Sequence, residues 1–151
     1  VLNKYQDLKF SFDIPIGDMK TKFQNQAYDD IALALKHRSY LGQFLLTAYC
    51  SCPICCDEYA YHRPLDANGN PIVYTATGTV AKEGYTIAVD PKVIPYGTEV
   101  IINGHIYRAE DCGGAINNHH IDVYFENHQD ALNFAMGYYD VYLNYTIDKP
   151  I

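Results

Sequence analysis

The sequence contains no tryptophan and only two methionines. No stretch of it stays apolar for anything near the ~20 residues that a membrane-spanning helix requires, so no membrane span is expected. Positive charge is also scarce: 11 Lys and Arg stand against 18 Asp and Glu, for a formal net charge of −7. That balance opposes a nucleic-acid partner, which calls for a basic face. Internal repeats and low-complexity segments are missing too. The first residues, Val-Leu-Asn-Lys-Tyr-Gln-Asp, show neither a charged region followed by an apolar one nor a small-residue cleavage site, so any export signal is expected to have been removed or left out. In place of tryptophan there are 15 tyrosines, whose apolar rings and polar tips suit both a core and a hydroxyl-rich ligand. With 48% hydrophobic and 19% charged residues, the composition is that of an ordinary globular domain.

The first ~15 residues keep no period, and Pro15 and Gly17 interrupt them, which predicts an extended arm. Phe23, Ala27, Ile31, Ala34 and Leu35 then recur at spacings of three and four, predicting a helix from about Thr21 to Arg38. Two regions follow: an arm and helix over 1–40, and a β domain over 41–151. In the second, short apolar runs at 44–49, 86–89, 100–102, 106–109 and 121–125 alternate with turns. Asn103-Gly104 predicts a two-residue hairpin, because a type I′ turn needs positive φ at both positions; Ile102 and Ile106 are expected to meet across it. Asn127 and Asp130 suggest a capped short helix that Gly137 stops, and Val141, Leu143 and Tyr145 suggest a last, closing strand.

Three carboxylates stand in or at the end of apolar β runs, where an unpaired charge is costly. Asp90 ends Thr-Ile-Ala-Val-Asp-Pro, Asp111 ends Tyr-Arg-Ala-Glu-Asp and leads into Gly113-Gly114, and Asp122 interrupts His-Ile-Asp-Val-Tyr-Phe. Singly, each reads as a turn former or ion-pair partner. Together, carboxylates in a low dielectric push each other's pKa values apart, so that one stays protonated as a general acid. Glycosidic cleavage requires such a pair. Gly113 and Gly114 add close backbone approach for a sugar oxygen. Glu110 is expected to face outward by strand alternation, and Glu83 is a further acid that could assist the site.

The segments Thr-Ala-Tyr-Cys-Ser-Cys-Pro-Ile-Cys-Cys (47–56), Thr-Ala-Thr-Gly-Thr-Val-Ala-Lys-Glu-Gly (75–84), Ile-Ala-Val-Asp-Pro-Lys-Val-Ile-Pro-Tyr-Gly-Thr (87–98), Ala-Glu-Asp-Cys-Gly-Gly-Ala-Ile (109–116) and His-Ile-Asp-Val-Tyr-Phe (120–125) together resemble the three-aspartate (3D) domain. The resemblance runs from Leu41 to Tyr142. That family is similar to the catalytic core of membrane-bound lytic transglycosylase A and to the stationary-phase survival muralytic proteins. It implies a mainly β fold: a six-stranded double-psi β-barrel, here with an N-terminal helical extension and a short helix near the C-terminus. It also implies a lytic transglycosylase that cleaves the MurNAc-GlcNAc β-1,4 bond of peptidoglycan glycan strands and leaves a 1,6-anhydro-MurNAc end. On this resemblance Asp122 is the general acid and base, Asp111 its supporting neighbour and Asp90 an organiser of the site. Thr77 and Gly78 line the sugar groove. The expected location is extracellular or at the cell envelope of a Gram-positive bacterium or its phage. A raised pKa for Asp122 is expected from its neighbours Ile121 and Val123 and from Asp111.

Cys50, Cys52, Cys55 and Cys56 fall within seven residues. Thiolates are favoured zinc ligands, yet structural sites usually combine a Cys-x2-4-Cys pair with a distant second pair, and only Cys112 is distant here. Disulfides or free thiols are the first expectation, metal binding by these four the weaker alternative, and no cofactor is called for. Cys112 places a thiol beside Asp111; a cysteine nucleophile would need a positioned base, for which His119 and His120 are the nearest in sequence. His120 is a candidate sugar contact. The competing functions are a non-catalytic glycan-binding barrel and a peptidoglycan glycoside hydrolase. An aspartic-protease reading lacks the Asp-Thr-Gly or Asp-Ser-Gly context. Oligomeric state is not legible.

Overall fold

The computed structural model describes residues 25–31, 33 and 39–144. The chain divides into two units, Val1–Arg38 and Ser39–Ile151. In the first, residues 25–31 are helical, and Gln26 Nε2 donates to Asp30 Oδ1 one turn later at 3.1 Å. The expected arm, and Phe23, Ala34 and Leu35 of the expected apolar stripe, lie outside the described residues, as does Tyr145.

The second unit is built on six strands: β1 (Tyr40–Tyr49), β2 (Thr86–Ala88), β3 (Glu99–Ile102), β4 (His105–Asp111), β5 (His120–Tyr124) and β6 (Gly137–Leu143). They close into a barrel in the order β1-β5-β2-β4-β3-β6. β1 runs parallel to β5 and β2 parallel to β4, while β2 and β5 pair antiparallel between them. The fold is the expected mainly β, six-stranded double-psi barrel. Its interior is filled by one residue in two from each long strand: Phe44 and Leu46, Ile87 and Val89, Val100 and Ile102, Ala109, Ile121 and Val123, and Val141, with Ile94 from the β2–β3 connection. Burying each of the larger side chains contributes ~1.5–3 kcal/mol.

Two short helices lie outside the barrel wall: α1 (Pro53–Cys56), followed by a 3₁₀ turn over Asp57–Ala60, and α2 (His128–Asn133). The Asn127 side chain caps α2 by accepting from Gln129 N at 2.7 Å. Gly137 does not stop this helix but opens β6. The stop comes at Phe134, which takes extended backbone angles; its ring packs 5.8 Å from Phe125 and 6.3 Å from Tyr139. Asn103 and Gly104 both have positive φ, as the hairpin turn demands. The register pairs Ile102 with His105 and Ile101 with Ile106, so Ile102 and Ile106 take opposite faces, because a two-residue loop makes its flanking residues partners.

Candidate active site

The two faces of β1 and β5 separate core from site. Phe44 and Leu46, Ile121 and Val123 point into the barrel; Thr47 and Tyr49, His120, Asp122 and Tyr124 therefore share the opposite faces of their strands. The parallel register sets Thr47 beside Asp122. On the other side of β5, Asp122 pairs with Ala88, and Ala88 in turn pairs with Asp111. Thr47, Asp122, Ala88 and Asp111 thus form one row across four neighbouring strands. With strands ~4.8 Å apart, the two aspartate backbones stand ~10 Å from each other, with only the methyl of Ala88 between them.

The hydrogen bonds give the two carboxylates different surroundings. Thr47 Oγ1 donates to Asp122 Oδ1 at 2.8 Å and lies 2.8 Å from His120 Nε2. One hydroxyl has a single proton, so a donor Thr47 takes its own hydrogen bond from His120 Nε2–H. Burial raises the Asp122 pKa; the Thr47 bond and His120 oppose that rise, and Asp111 adds to it. The expected direction therefore holds, but Ile121 and Val123 face the core and are not the cover that desolvates the carboxyl. Asp111 accepts from the Tyr49 hydroxyl at 2.7 Å and from Ala76 N at 2.9 Å. Burial, followed by the Asp111 carboxylate, holds the Tyr49 phenol far above its ordinary pKa, so it serves as a donor throughout the working range.

Asp90 stands apart from this pair. Its carboxylate accepts from Asn118 N at 2.8 Å and from Lys92 N at 3.0 Å, and these bonds hold its pKa below the usual value. It ties the β2–β3 connection to the loop preceding β5. Thr77 and Gly78 belong to a tight loop in which the hydroxyls of Thr75, Thr77 and Thr79 lie 2.8–3.3 Å apart. Thr77 N donates to Glu110 O at 3.1 Å, and Gly78 takes φ +80°. Because Ala76 of this loop binds Asp111, it sits against the Asp111 end of the row. Gly113 is close-packed, since an added Cβ would meet Ile116 Cγ1 at 3.2 Å, whereas Gly114 has open space there.

Glu110 does not face outward. It is 5% exposed, accepts from Thr86 Oγ1 at 2.8 Å and lies 3.9 Å from Arg108 Nε. The β2·β4 register shifts between Ile87 and Ala88, skipping from Ala109 to Asp111; Glu110 is the extra residue of a bulge, which re-aims its side chain. Glu83 also has a structural partner, Glu126 N at 2.9 Å. Cys112 is exposed and hydrogen-bonds Tyr96, which with burial and nearby Asp111 pushes that phenol up to about 12. His119 lies against the Phe44 ring, centroids 4.6 Å apart, and His120 is engaged with Thr47, so among the described residues no histidine hydrogen-bonds Cys112.

All five cysteines are free thiols. Sγ of Cys50, Cys52 and Cys55 and a ring nitrogen of His128 lie within 4.8 Å of one another. Cys56 does not join them; its thiol donates to Cys50 O at 3.1 Å. Sequence reasoning missed His128, Thr47, Tyr49 and Tyr96. The two β1 residues carried one usable signal: they alternate with Phe44 and Leu46.

Residues 85–147 match the family model of the 3D domain. This similarity to the 3D domain covers less than half of the chain. All three aspartates fall inside the matched segment; Thr47, Tyr49 and the cysteine loop fall before it. Two Bacillus subtilis proteins are similar to the chain. YabE, named for cell wall shaping, is 44% identical over 66 residues, 41% of this chain and 16% of its own length. The cell wall-binding protein YocH is 45% identical over 51 residues, 33% of this chain and 18% of its own. The chain therefore spans less than a fifth of either relative. Among solved structures, the lytic transglycosylase MltA of Escherichia coli overlaps 49% of this chain and 28% of its own at 24% identity, TM-score 0.44. The MltA complex with bound chitohexaose overlaps 50% and 28% at 25% identity, TM-score 0.44. LtgG, a lytic transglycosylase of Burkholderia pseudomallei, overlaps 48% and 27% at 24% identity, TM-score 0.38. No helix among the described residues is long and apolar enough to cross a membrane.

Proposed function

We propose that this chain is a lytic transglycosylase acting on the glycan strands of peptidoglycan at the cell envelope, with Asp122 as its acid and base. The observation that carries the reading is the half-buried Asp122 carboxyl, its pKa raised by burial, in one row with a second carboxylate, Asp111, that is held by two donors. An acid of raised pKa beside a second carboxyl group held in place is the division of labour glycosidic cleavage needs.

In the proposed reaction, protonated Asp122 gives its proton to the oxygen joining MurNAc C1 to GlcNAc C4, and the C1–O bond breaks with its electron pair going to that oxygen. The resulting oxocarbenium-like C1 is captured by the C6 hydroxyl of the same MurNAc. The Asp122 carboxylate takes the C6 hydroxyl proton as the C1–O6 bond forms, which restores the acid. No water is consumed. Thr47, itself hydrogen-bonded to His120, donates to Oδ1, which leaves Oδ2 without a protein hydrogen bond among the described residues to exchange the proton. Asp111, anchored by Tyr49 and Ala76, faces the developing positive charge and helps keep Asp122 protonated. Asp90 orders the loop before β5. The Thr75–Thr79 loop and Gly114 supply polar backbone and hydroxyl groups for sugar oxygens.

Mass spectrometry of fragments released from purified sacculi tests this reading. Anhydro-muramoyl ends that disappear with Asp122→Asn support it. Reducing ends would make the protein a hydrolase. Binding of glycan without release would assign it the non-catalytic role, a reading favoured by the similarity to YocH, a cell wall-binding protein.

A further inference from the structure

The cysteine loop begins at the residue after Tyr49 and belongs to no step of the reaction above. Its side chains nonetheless converge on one point. His128 Nδ1 lies 3.4 Å from Cys50 Sγ, 3.3 Å from Cys52 Sγ and 3.5 Å from Cys55 Sγ, and the Cys50 and Cys55 sulfurs are 3.7 Å apart. One ring nitrogen has one proton or one lone pair to offer. Three sulfurs at the same distance from it exceed what hydrogen bonding can account for. Disulfide pairing would bring two sulfurs to ~2.05 Å and give the histidine no reason to sit over all three. The three sulfur–nitrogen edges and the Cys50–Cys55 edge match a tetrahedron, for which Zn–S of ~2.3 Å and Zn–N of ~2.0–2.1 Å require S···S of ~3.8 Å and S···N of ~3.5 Å, and the other two sulfur pairs lie within 4.8 Å.

Local structure prepares each ligand. Cys55 N and Cys56 N both donate to Cys52 O, at 3.1 and 2.9 Å, so Cys52-Pro53-Ile54-Cys55 folds as one helical turn that presents its two thiols together. Cys50 ends the excursion of β1 and is 1% exposed. His128 is the first residue of α2, whose start is fixed by the Asn127 cap. We propose that Cys50, Cys52, Cys55 and His128 bind one zinc ion in a closed tetrahedral site that fastens the loop after β1 to the start of α2. Four protein ligands leave no open position, which makes the ion structural. The fourth ligand is His128 and not Cys56, whose thiol is engaged with a backbone carbonyl. Since Cys50 follows Tyr49, and Tyr124 interacts with Ser51, Arg63 and Cys50, the ion would hold in place the loop beside the outer face that carries Asp122.

Cobalt(II) titration of the reduced full chain, followed by the intense visible bands of tetrahedral cobalt thiolate, tests the site together with zinc content by atomic emission. One ion per chain is expected. Cys52→Ser and His128→Ala should each weaken cobalt binding by more than the ~10–100-fold that changing even an outer-shell partner costs, while Cys112→Ser, outside the cluster, and Cys56→Ser, which keeps a donor for Cys50 O, should each cost clearly less than Cys52→Ser. His128→Cys restores a fourth ligand and should keep the tetrahedral spectrum. Reduced wild-type chain without that spectrum overturns the proposal, and so does Cys56→Ser losing as much affinity as Cys52→Ser. If His128→Ala fails to fold, the wild-type titration and the Cys56→Ser comparison still decide. Metal content is read independently of glycan cleavage, so the site and the transglycosylase can fail separately.

Discussion

The Tyr49 hydroxyl donates to Asp111 Oδ2 at 2.7 Å from a strand three places away around the barrel. Two residues earlier on the same strand, Thr47 donates to Asp122. β1 thus addresses both carboxylates, although β5 and β2 stand between it and β4. Tyr49→Phe removes one of the two donors that hold Asp111 and leaves the ring packing in place. A hydrogen bond to a charged group contributes ~1.5–3 kcal/mol. A stability loss toward the lower end is expected by urea unfolding, with cleavage slowed on the order of 10-fold, ~1.4 kcal/mol of lost positioning. Unchanged stability and rate would show that Asp111 does not depend on this donor.

Asp122→Asn separates stability from activity. The folded site holds a carboxyl whose charge is disfavoured by burial, and the amide is neutral with an oxygen still able to accept from Thr47. The variant should lose all cleavage of sacculi. Its Tm at neutral pH should rise by about 4 °C, which is what ~1 kcal/mol produces in a domain near this size. A lower Tm would mean that the ionised carboxylate is well solvated and that its burial is not what tunes it.

The carboxylates were legible because an acid inside an apolar β run stands out against its neighbours. So were the hairpin at Asn103-Gly104 and most of the strands, whose alternation is local. Thr47 and Tyr49 were not legible as partners of Asp122 and Asp111, since their role depends on β1 lying parallel to β5 across a long connection. The outward assignment of Glu110 failed because alternation presumes an unbroken ladder, and the bulge at Glu110 breaks it. His128 escaped notice because three candidate ligands are crowded into 50–55 while the fourth group of the cluster arrives from another element.

pH should act on stability through Asp122 in a defined direction. Its folded pKa lies above the ordinary value of 3.8, so the folded state binds the proton more tightly than the unfolded chain does. That contribution is fully present below the unfolded pKa and is lost as pH rises through the raised folded value. The same titration removes the general acid, so kcat should fall over the same rise in pH. Carbon-13 NMR of the labelled carboxyl measures the folded pKa directly. A midpoint at or below 3.8 would rule out Asp122 as an acid tuned by burial.

Asp90 and Asp122 should respond differently to removal. Asp90→Ala strips two backbone donors, Asn118 N and Lys92 N, of their acceptor, while Asp90→Asn keeps one oxygen for one of them. Faster amide exchange at Asn118 is expected in the alanine variant and partial recovery in the asparagine variant. KM should rise several-fold with kcat changed little, because the loop leads into β5 while the Asp90 carboxylate is hydrogen-bonded to Asn118 N and Lys92 N and not to the row. A collapse of kcat matching that of Asp122→Asn would place Asp90 in the chemistry.

Thr86→Val tests whether Glu110 belongs to the scaffold. Thr86 is fully buried; its hydroxyl accepts from Lys82 N at 2.9 Å and donates to Glu110 Oε2 at 2.8 Å. Valine matches its shape and removes both bonds. Glu110 then keeps only Arg108, at 3.9 Å and half solvent-exposed, as company for a buried carboxylate. Leaving a buried charged group short of a partner costs ~1–3 kcal/mol or more, so a loss near 3 kcal/mol is expected from denaturant unfolding. Thr86→Val combined with Glu110→Gln should recover part of it, because a neutral amide tolerates the apolar surroundings that the carboxylate does not. Cleavage measured well below the lowered Tm should stay within twofold of wild type. A double variant no more stable than Thr86→Val alone would show that the Glu110 charge is not what the threonine offsets, and that the bulge is held by its backbone.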